Sequence, residues 1–298
     1  MAKPIYLAGP TAVGKSAVAL ELAERIGGEI ISVDSMQVYR GMDIGTAKPS
    51  AAEQKRVRHH LIDIVDLTEP FDVAAFIRLA KAAEADIQAR GKVSIYCGGT
   101  GFYFKALLEG LGDAPPGDAK IRAQLQATPL DQLLIELQQK DPDFFQKVDQ
   151  KNPRRVVRAL EVIRLTGKPY STQRAVWSAT TTGIGFHRAP KNLHDRIHQR
   201  VDEMFRLGLV TETEKLLAQG LEKNLTAMQA LGYRQVVEHL RGQRSLPETI
   251  ELVKIRTRQF AKRQLTWFRR QMRLDWISLD TEDAAGVAEK IARTNLST

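Results

Sequence analysis

Several features that assign proteins to common classes are missing from this chain of 298 residues. No apolar run approaches the roughly 20 residues needed to cross a bilayer. The single cysteine, Cys97, excludes an internal disulfide, and its apolar neighbours predict an inert core thiol. The six histidines lack zinc-binding spacing, and His59–His60 is expected to be a polar surface pair. These absences predict a cytoplasmic protein that makes no membrane contact.

Acidic residues are missing from one long segment, Lys254–Arg273. Its eight basic residues account for almost all of the net charge of +9. Apolar residues recur through it at the spacing of an amphipathic helix: Ala261, Leu265, Phe268 and Met272. A run of charge is usually a solvated helix face, but acids normally intersperse such a run. We therefore expect a helix that binds nucleic acid, with a solvated face as the alternative.

Short apolar segments alternate with helical segments over residues 1–112, which predicts an α/β fold with a parallel sheet flanked by helices. The first apolar segment, in MAKPIYLAGP, leads into a glycine motif and predicts a strand, not a signal peptide. The segment Gly112–Asp118 (GDAPPGD) then interrupts the alternation. We expect an inserted all-helical domain at 113–180. The core is expected to return at 181–298 with basic helices, the long one opened by a capping box at Ser245–Glu248.

The segment GPTAVGKS fits the phosphate-loop (P-loop) pattern G-x-x-x-x-G-K-[ST], and it lies between a predicted strand and a predicted helix. Its glycines let backbone N–H groups turn inward around phosphates, and the helix N-terminus adds partial positive charge. In this motif Lys15 binds the terminal phosphate oxygens, and Ser16 ligates Mg²⁺. The candidate diphosphate-binding residues are Gly9, Pro10, Thr11, Ala12, Val13, Gly14, Lys15 and Ser16.

Two further predicted strands end on polar residues. Asp34 follows the second strand, at the edge where ligands of such sheets bind, although a turn cap is the alternative. The third strand ends on Gly98-Gly99-Thr100, and the next acid is Glu109. A P-loop kinase or ATPase commonly has an acid for Mg²⁺ after such a strand. Thr100 instead offers a neutral donor, suited to the bridging oxygen of a departing diphosphate, with a simple glycine turn as the alternative.

Five motifs occur in one order and at a familiar spacing: GPTAVGKS, ISVDSMQVYRGMDIGTAKP, GGTGFYFKALLEGL, ALGYRQ and RQFAKRQLTWFR. They resemble those of the bacterial tRNA dimethylallyltransferases, also called tRNA isopentenyltransferases, over about Pro4 to Arg270. Members of that family transfer the dimethylallyl group of dimethylallyl diphosphate to N6 of adenine 37, beside the anticodon. The resemblance therefore implies a prenyltransferase whose partners are dimethylallyl diphosphate and the anticodon stem-loop of tRNA. We expect it to act as a monomer with Mg²⁺ as its cofactor.

The resemblance also implies that the inserted helical domain at 113–180 binds RNA, and it implies roles for single residues. The P-loop would hold the diphosphate of the prenyl donor, although such loops are often described as ATP-binding. Asp34 would accept a proton or hydrogen bond from the adenine amino group, and Thr100 would donate to the bridging oxygen. The implied tRNA contacts are Asp34, Ser35, Met36, Gln37, Thr100, Arg122, Arg154, Arg155, Arg158, Gly232, Tyr233, Arg234, Lys262, Arg263, Gln264, Trp267 and Arg269.

Some expectations stay open at this stage. Tyr233 is expected to be an exposed aromatic side chain. Gly101-Phe102 stands where many members of the family have Met-Leu, so the shape of the prenyl pocket is open. Two rival functions are a small-molecule P-loop kinase and a non-enzymatic RNA-binding protein with a vestigial nucleotide site. The kinase gives the basic helix no purpose, and the binding protein does not explain Lys15 and Ser16 beside Asp34.

Overall fold

The computed structural model describes residues 3–173 and 182–296. Its sheet has the strand order β3-β2-β4-β1-β5-β6, and every neighbouring pair is parallel. The strands are β1 (Ile5–Ala8), β2 (Gly28–Val33), β3 (His59–His60), β4 (Val93–Gly98), β5 (Thr182–His187) and β6 (Arg273–Ser278). The predicted parallel sheet with flanking helices is confirmed.

The chain divides into two compact units, one formed by 1–108 with 179–298 and the other by 109–178. The larger unit contains the sheet and most of the helices. Four helices begin before the smaller unit: α1 (Lys15–Ile26), α2 (Ala51–Arg56), α3 (Val73–Ala89) and α4 (Gly101–Glu109).

The smaller unit consists of helices joined by loops in its described part, 109–173. Its helices are α5 (Ala119–Ala127), α6 (Leu130–Lys140), α7 (Pro142–Lys147) and α8 (Pro153–Thr166). They enclose a core of their own around Leu125, Leu137 and Leu160. Helix α8 ends at Thr166, and the next residue, Gly167, has a φ of 69°, a left-handed conformation that favours glycine. The sequence placed a helical insert at 113–180, of which 174–180 lie outside the described residues.

The larger unit resumes with helices that pack on the sheet and on each other. They are α9 (Pro190–Arg206), α10 (Leu209–Ala218), α11 (Tyr233–Leu240), α12 (Leu246–Gln271) and α13 (Ala284–Leu296). Ser245 caps α12 and Glu248 completes the capping box, as the sequence predicts. No helix within the described ranges is both long and apolar enough to span a membrane.

Residues that alternate along the strands bury two separate apolar clusters, one on each face of the sheet. Ile31 and Tyr96 belong to one cluster, whereas Ile30 and Ile95 belong to the other. This two-sided burial is why the strands read as nearly continuous apolar runs in the sequence.

The short edge strand β3 departs from the sequence analysis. His59 and His60 were expected to form a polar surface pair, but they pair with β2 and are half-buried. The His60 Nε2 atom lies 2.7 Å from Oε2 of Glu29, a buried carboxylate that Arg90 and Lys92 also contact. A strand of two residues leaves no periodic pattern from which it could be predicted.

Candidate functional site

Three strand ends meet at one edge of the sheet. Ala8 of β1 and Val33 of β2 both pair with Gly98 of β4, so these residues form one row across the sheet. Because the strands are parallel, the segments that follow them emerge side by side. A Cβ atom at position 98 would lie only 2.0 Å from the carbonyl oxygen of Val33. Glycine at this position is therefore required for β4 to approach β2 where both strands end.

The P-loop after β1 curls back before α1 begins. Ala12 and Gly14 adopt positive φ values of 62° and 110°, which turn successive peptide groups inward. Two arginines brace the loop: Arg196 Nε donates to the carbonyl oxygen of Ala12 at 2.9 Å, and Arg188 Nε donates to that of Val13 at 2.8 Å. The conformation of the loop is thus held by groups outside the motif.

Two cations stand at the opening of this loop. Among the described residues, the ammonium group of Lys15 donates only to the carbonyl oxygen of Pro10, at 3.4 Å. Burial, together with the nearby charge of Arg200, lowers the pKa of Lys15. Burial likewise lowers the pKa of the Arg200 guanidinium, while Asp34 acts to raise it. Within 3–173 and 182–296, Arg200 has no hydrogen-bond or ion-pair partner. The nearby carboxylate of Asp34 offsets one of the two charges, so Lys15 and Arg200 together leave the site positive.

Arg200 was missed by the sequence analysis. It lies on α9 between the buried residues Ile197 and Val201 and points to the cavity beside the P-loop. In the sequence, Glu203 three residues later suggests an ordinary surface pair. In the structure, Glu203 pairs with Arg206 instead.

Asp34 and Thr100 are linked through the turn that follows β2. The Oδ1 atom of Asp34 accepts hydrogen bonds from the N–H groups of Met36 at 2.8 Å and Gln37 at 3.3 Å. The hydroxyl oxygen of Thr100 accepts one from the N–H of Ser35 at 3.2 Å. The turn-capping alternative for Asp34 is therefore real, but Oδ2 accepts no hydrogen bond from the described residues. That oxygen remains available for a ligand.

Gln37 is held in place by the protein itself. Its side-chain oxygen accepts a hydrogen bond from the Ser32 hydroxyl at 2.8 Å. Its side-chain nitrogen donates to the carbonyl oxygens of Thr46 and Ala47, both at 3.2 Å. These contacts leave little of the Gln37 amide free to contact RNA.

Gln264 joins the basic helix α12 to both halves of the site. Its Oε1 atom accepts from the backbone N–H of Thr11 in the P-loop at 2.9 Å. Its Nε2 atom donates to the carbonyl oxygen of Gly99 at 2.9 Å. A Cβ atom at position 99 would lie 2.5 Å from this Nε2 atom. The second glycine of Gly98-Gly99-Thr100 thus makes room for the amide that ties the two strand ends together.

These groups line one cavity of about 350 Å³, which we call the central cavity. It brings together both predicted catalytic residues and three of the eight predicted donor-binding residues with residues of α12. The predicted residues that line it are Thr11, Lys15, Ser16, Asp34, Ser35, Met36, Gln37, Thr100, Arg263 and Gln264. Apolar side chains such as Val201, Met204 and Phe260 cover another part of its wall.

The exposed face of α12 forms a second depression, which we call the basic groove. The groove has a volume of about 520 Å³, and the residues that line it include Lys262, Arg263, Trp267 and Arg270. The indole of Trp267 packs so closely on Gly101 that a Cβ atom there would lie 2.2 Å from the ring. From the sequence, the effect of Gly101-Phe102 on the shape of the prenyl pocket stayed open. In the structure, Gly101 shapes the basic groove, because the missing side chain makes room for Trp267.

Not every basic residue of the predicted run is free to bind a partner. Lys254 pairs with Asp202 at 2.8 Å and with Glu251 at 2.9 Å. The guanidinium of Arg258 lies 2.8 Å from the imidazole of His198, and that of Arg269 lies over the ring of Trp276. The basic face is consequently narrower than the count of eight charges suggested.

Tyr233 corrects the sequence analysis. Its side chain is fully buried rather than exposed, because its hydroxyl group donates to Glu212 at 2.6 Å inside the apolar core. Gly232 is buried as well, whereas Arg234 is exposed and pairs with Glu238. Direct contact between RNA and the Tyr233 ring is therefore excluded in this conformation.

The arginines predicted in the smaller unit differ in their surroundings. Arg122 and Arg158 both donate to the buried carboxylate of Glu161, at 2.9 and 2.6 Å. Arg154 and Arg155 are exposed on α8. Two of the four predicted RNA contacts are thus oriented by a carboxylate at the centre of their own unit.

Cys97 behaves as the sequence predicts. It is buried at the end of β4, and burial raises the pKa of its thiol to about 11. Such a thiol stays protonated at neutral pH and is a poor nucleophile.

Comparison with known proteins adds independent information. The family model described as IPP transferase matches residues 37–271. The tRNA dimethylallyltransferase of Geobacter metallireducens is 47% identical over 284 residues, covering 92% of this chain and 91% of the relative. The tRNA dimethylallyltransferase 1 of Trichlorobacter lovleyi is 44% identical over 296 residues, covering 94% and 95%.

Solved structures agree with these relatives. The tRNA isopentenylpyrophosphate transferase of Bacillus halodurans superimposes with a TM-score of 0.74 at 40% identity, covering all of this chain and 96% of the other. A eukaryotic dimethylallyltransferase acting on tRNA gives a TM-score of 0.80 at 29% identity, covering 99% and 79%.

Proposed function

Since the chain belongs to the IPP transferase family of tRNA dimethylallyltransferases, we propose that it prenylates tRNA. The donor is dimethylallyl diphosphate, the acceptor is N6 of adenine 37 in the anticodon stem-loop, and the second product is diphosphate. The observation that carries the proposal is the central cavity, where the cations Lys15 and Arg200, two polar strand ends and the basic helix α12 line one space.

Lys15 and Arg200 are proposed to bind the donor diphosphate. Each is an incompletely paired cation beside the P-loop, and burial lowers the pKa of each. An anion between them would offset the cost of burying both charges. The apolar wall near Met204 and Phe260 suits the hydrocarbon part of the donor.

Mg²⁺ is the proposed cofactor, held through the hydroxyl of Ser16. In the described part of the chain, no cluster of three or more His, Cys, Asp or Glu side chains could hold a metal alone. Mg²⁺ commonly uses one or two protein ligands together with phosphate oxygens and water, so a single exposed serine at the end of the P-loop fits this ion. When bound, Mg²⁺ would neutralise charge on the diphosphate.

The proposed reaction forms a bond between adenine N6 and the allylic carbon and breaks the bond from that carbon to the bridging oxygen. The leaving electron pair goes to the diphosphate, which Lys15 and Arg200 stabilise. Thr100 donates its hydroxyl proton as a hydrogen bond to the bridging oxygen. Asp34 accepts the amine hydrogen bond through Oδ2 and takes the N6 proton as the new bond forms.

The target base is stacked in the anticodon loop, so it must be extruded to enter the central cavity. Lys262 and Arg263 are both exposed on α12, and they are proposed to contact RNA phosphates. In the smaller unit, Arg154 and Arg155 are proposed to do the same. Orientation of the two substrates and stabilisation of the leaving group then supply most of the rate enhancement.

The test is incubation of the protein with an anticodon stem-loop RNA and either labelled dimethylallyl diphosphate or labelled ATP. We expect the label to pass to RNA from dimethylallyl diphosphate alone. Label transfer from ATP to a small molecule would support the kinase, and RNA binding without any transfer would support the non-enzymatic alternative. The family relationship favours neither of these alternatives.

A further inference from the structure

The segment Ile44–Ala47, which we call the base-side loop, lines the central cavity through its last three residues. The backbone N–H groups of its first two residues donate hydrogen bonds to side chains of helices that follow much later in the chain. These side chains are Glu212 of α10 and Tyr233 of α11. Neither of them is assigned a role in the proposed chemistry.

Several hydrogen bonds link Glu212 and Tyr233 to the backbone of this short segment. The N–H of Ile44 donates to both carboxylate oxygens of Glu212, at 3.0 and 2.9 Å. The N–H of Gly45 donates to Glu212 at 3.3 Å and to the hydroxyl of Tyr233 at 3.1 Å. That hydroxyl in turn donates to Glu212 at 2.6 Å. The three groups therefore satisfy one another in a closed network.

The packing of the loop is equally restrictive. A Cβ atom on Gly45 would lie 2.4 Å from the Tyr233 ring, so only glycine lets the loop backbone rest against it. Tyr233 is fully buried, and burial beside Glu212 raises its pKa. The ring cannot move aside without disturbing the core around it.

The base-side loop in turn supports the turn that carries Asp34. The side-chain nitrogen of Gln37 donates to the carbonyl oxygens of Thr46 and Ala47. The backbone N–H of Gln37 donates to Oδ1 of Asp34 at 3.3 Å. A continuous series of contacts thus runs from Tyr233 through the loop to the proposed base.

We propose that Glu212 and Tyr233 are positioning residues that hold the base-side loop, and through Gln37 orient Asp34 toward the adenine. The inference rests on the proposed function. It gives Tyr233 a role that its burial permits, since the ring need not touch RNA. Loss of either side chain should misplace the acceptor side of the site and leave the P-loop intact.

The test compares Tyr233→Phe with Tyr96→Phe. Tyr96 is a matched control, because its buried hydroxyl also donates to a glutamate, Glu84, at 2.7 Å, and it does not line the central cavity. For Tyr233→Phe we expect kcat/KM for the stem-loop RNA to fall roughly 10- to 100-fold, as a small misplacement of reacting groups does. Donor affinity measured without RNA should stay at the wild-type value, which also shows that the variant is folded.

For Tyr96→Phe we expect a comparable loss of melting temperature and unchanged kcat/KM. Glu212→Gln serves as the second variant and should resemble Tyr233→Phe. Equal losses of kcat/KM in Tyr233→Phe and Tyr96→Phe would overturn the inference, and so would wild-type turnover in Tyr233→Phe. Loss of donor binding in both Tyr233→Phe and Glu212→Gln would also overturn it, since the pair would then hold the fold as a whole. A wild-type protein that transfers no prenyl group would refute the proposed function instead.

Discussion

Replacement of Arg200 by methionine separates donor binding from a structural role, because the two roles predict opposite effects on stability. The guanidinium is buried beside Lys15 with no partner in the described residues. Removal of an unpaired buried charge relieves desolvation and repulsion, so the melting temperature of ligand-free Arg200→Met should stay the same or rise. A salt bridge that stabilised the fold would give a lower melting temperature.

Donor affinity should change in the other direction. Loss of one partner from a buried charge pair costs about 2–4 kcal/mol, which corresponds to roughly 30- to 1,000-fold weaker binding of the diphosphate. Calorimetry with a non-hydrolysable thio analogue of dimethylallyl diphosphate measures this directly. Arg206→Met is the control, since Arg206 is exposed on the same helix and paired with Glu203. Unchanged donor affinity together with a lower melting temperature would refute the reasoning.

The same pair of cations determines the pH dependence of donor binding. Burial, followed by the charge of Arg200, lowers the pKa of Lys15 in the ligand-free protein. The ammonium form binds the diphosphate, so affinity should be lost as pH rises through that lowered pKa. In Arg200→Met the pKa of Lys15 should move back up, and the alkaline loss of affinity should move to higher pH. A shift to lower pH would contradict this electrostatic account.

Three further predictions concern the remaining parts of the site. Asp34→Asn should lower single-turnover rates by about 10²–10⁴-fold, and Thr100→Val should also reduce turnover more than affinity; near wild-type rates would exclude these roles. Gln264→Leu removes two hydrogen bonds, so donor affinity without RNA should fall by roughly 5- to 30-fold; an unchanged value would leave Gln264 as an RNA contact only. Arg263→Ala should flatten the slope of log affinity for RNA against log salt by about 0.7–0.9, while Lys290→Ala on α13 should not; an unchanged slope with a lower melting temperature would make this face of α12 structural.

The parts of the site that follow local patterns could be predicted from the sequence. The P-loop motif was expected between an apolar strand and a helix, and the structure has β1 before it and α1 at its end. Asp34 and Thr100 follow strands whose apolar runs were recognisable, and the rule for parallel sheets brings their ends together. Gly98 could be singled out as unusual, but its contact with β2 could not be predicted without the strand register.

The parts that depend on distant pairing could not be predicted. Tyr233 is buried against Glu212 and Gly45, which lie 21 and 188 residues away in the sequence. No local sequence pattern predicts these contacts. Arg200 has the sequence context of a solvated helix residue. Because Glu203 pairs with Arg206 instead, Arg200 has no ion-pair partner within 3–173 and 182–296. The number of basic side chains in Lys254–Arg273 that are free to bind RNA was overestimated for the same reason. The sequence gives the charges but does not reveal which side chains already have partners.

The central claim is that the cavity joins a prenyl diphosphate to one adenine of the anticodon loop. The most direct measurement is mass spectrometry of the nucleosides from a stem-loop RNA incubated with the protein, Mg²⁺ and dimethylallyl diphosphate. The account predicts a gain of one C₅H₈ unit on adenosine at position 37, with diphosphate released in equal amount, and no gain when that adenosine is replaced by guanosine. An unmodified RNA, or a prenyl group on the guanosine-substituted RNA, would contradict it.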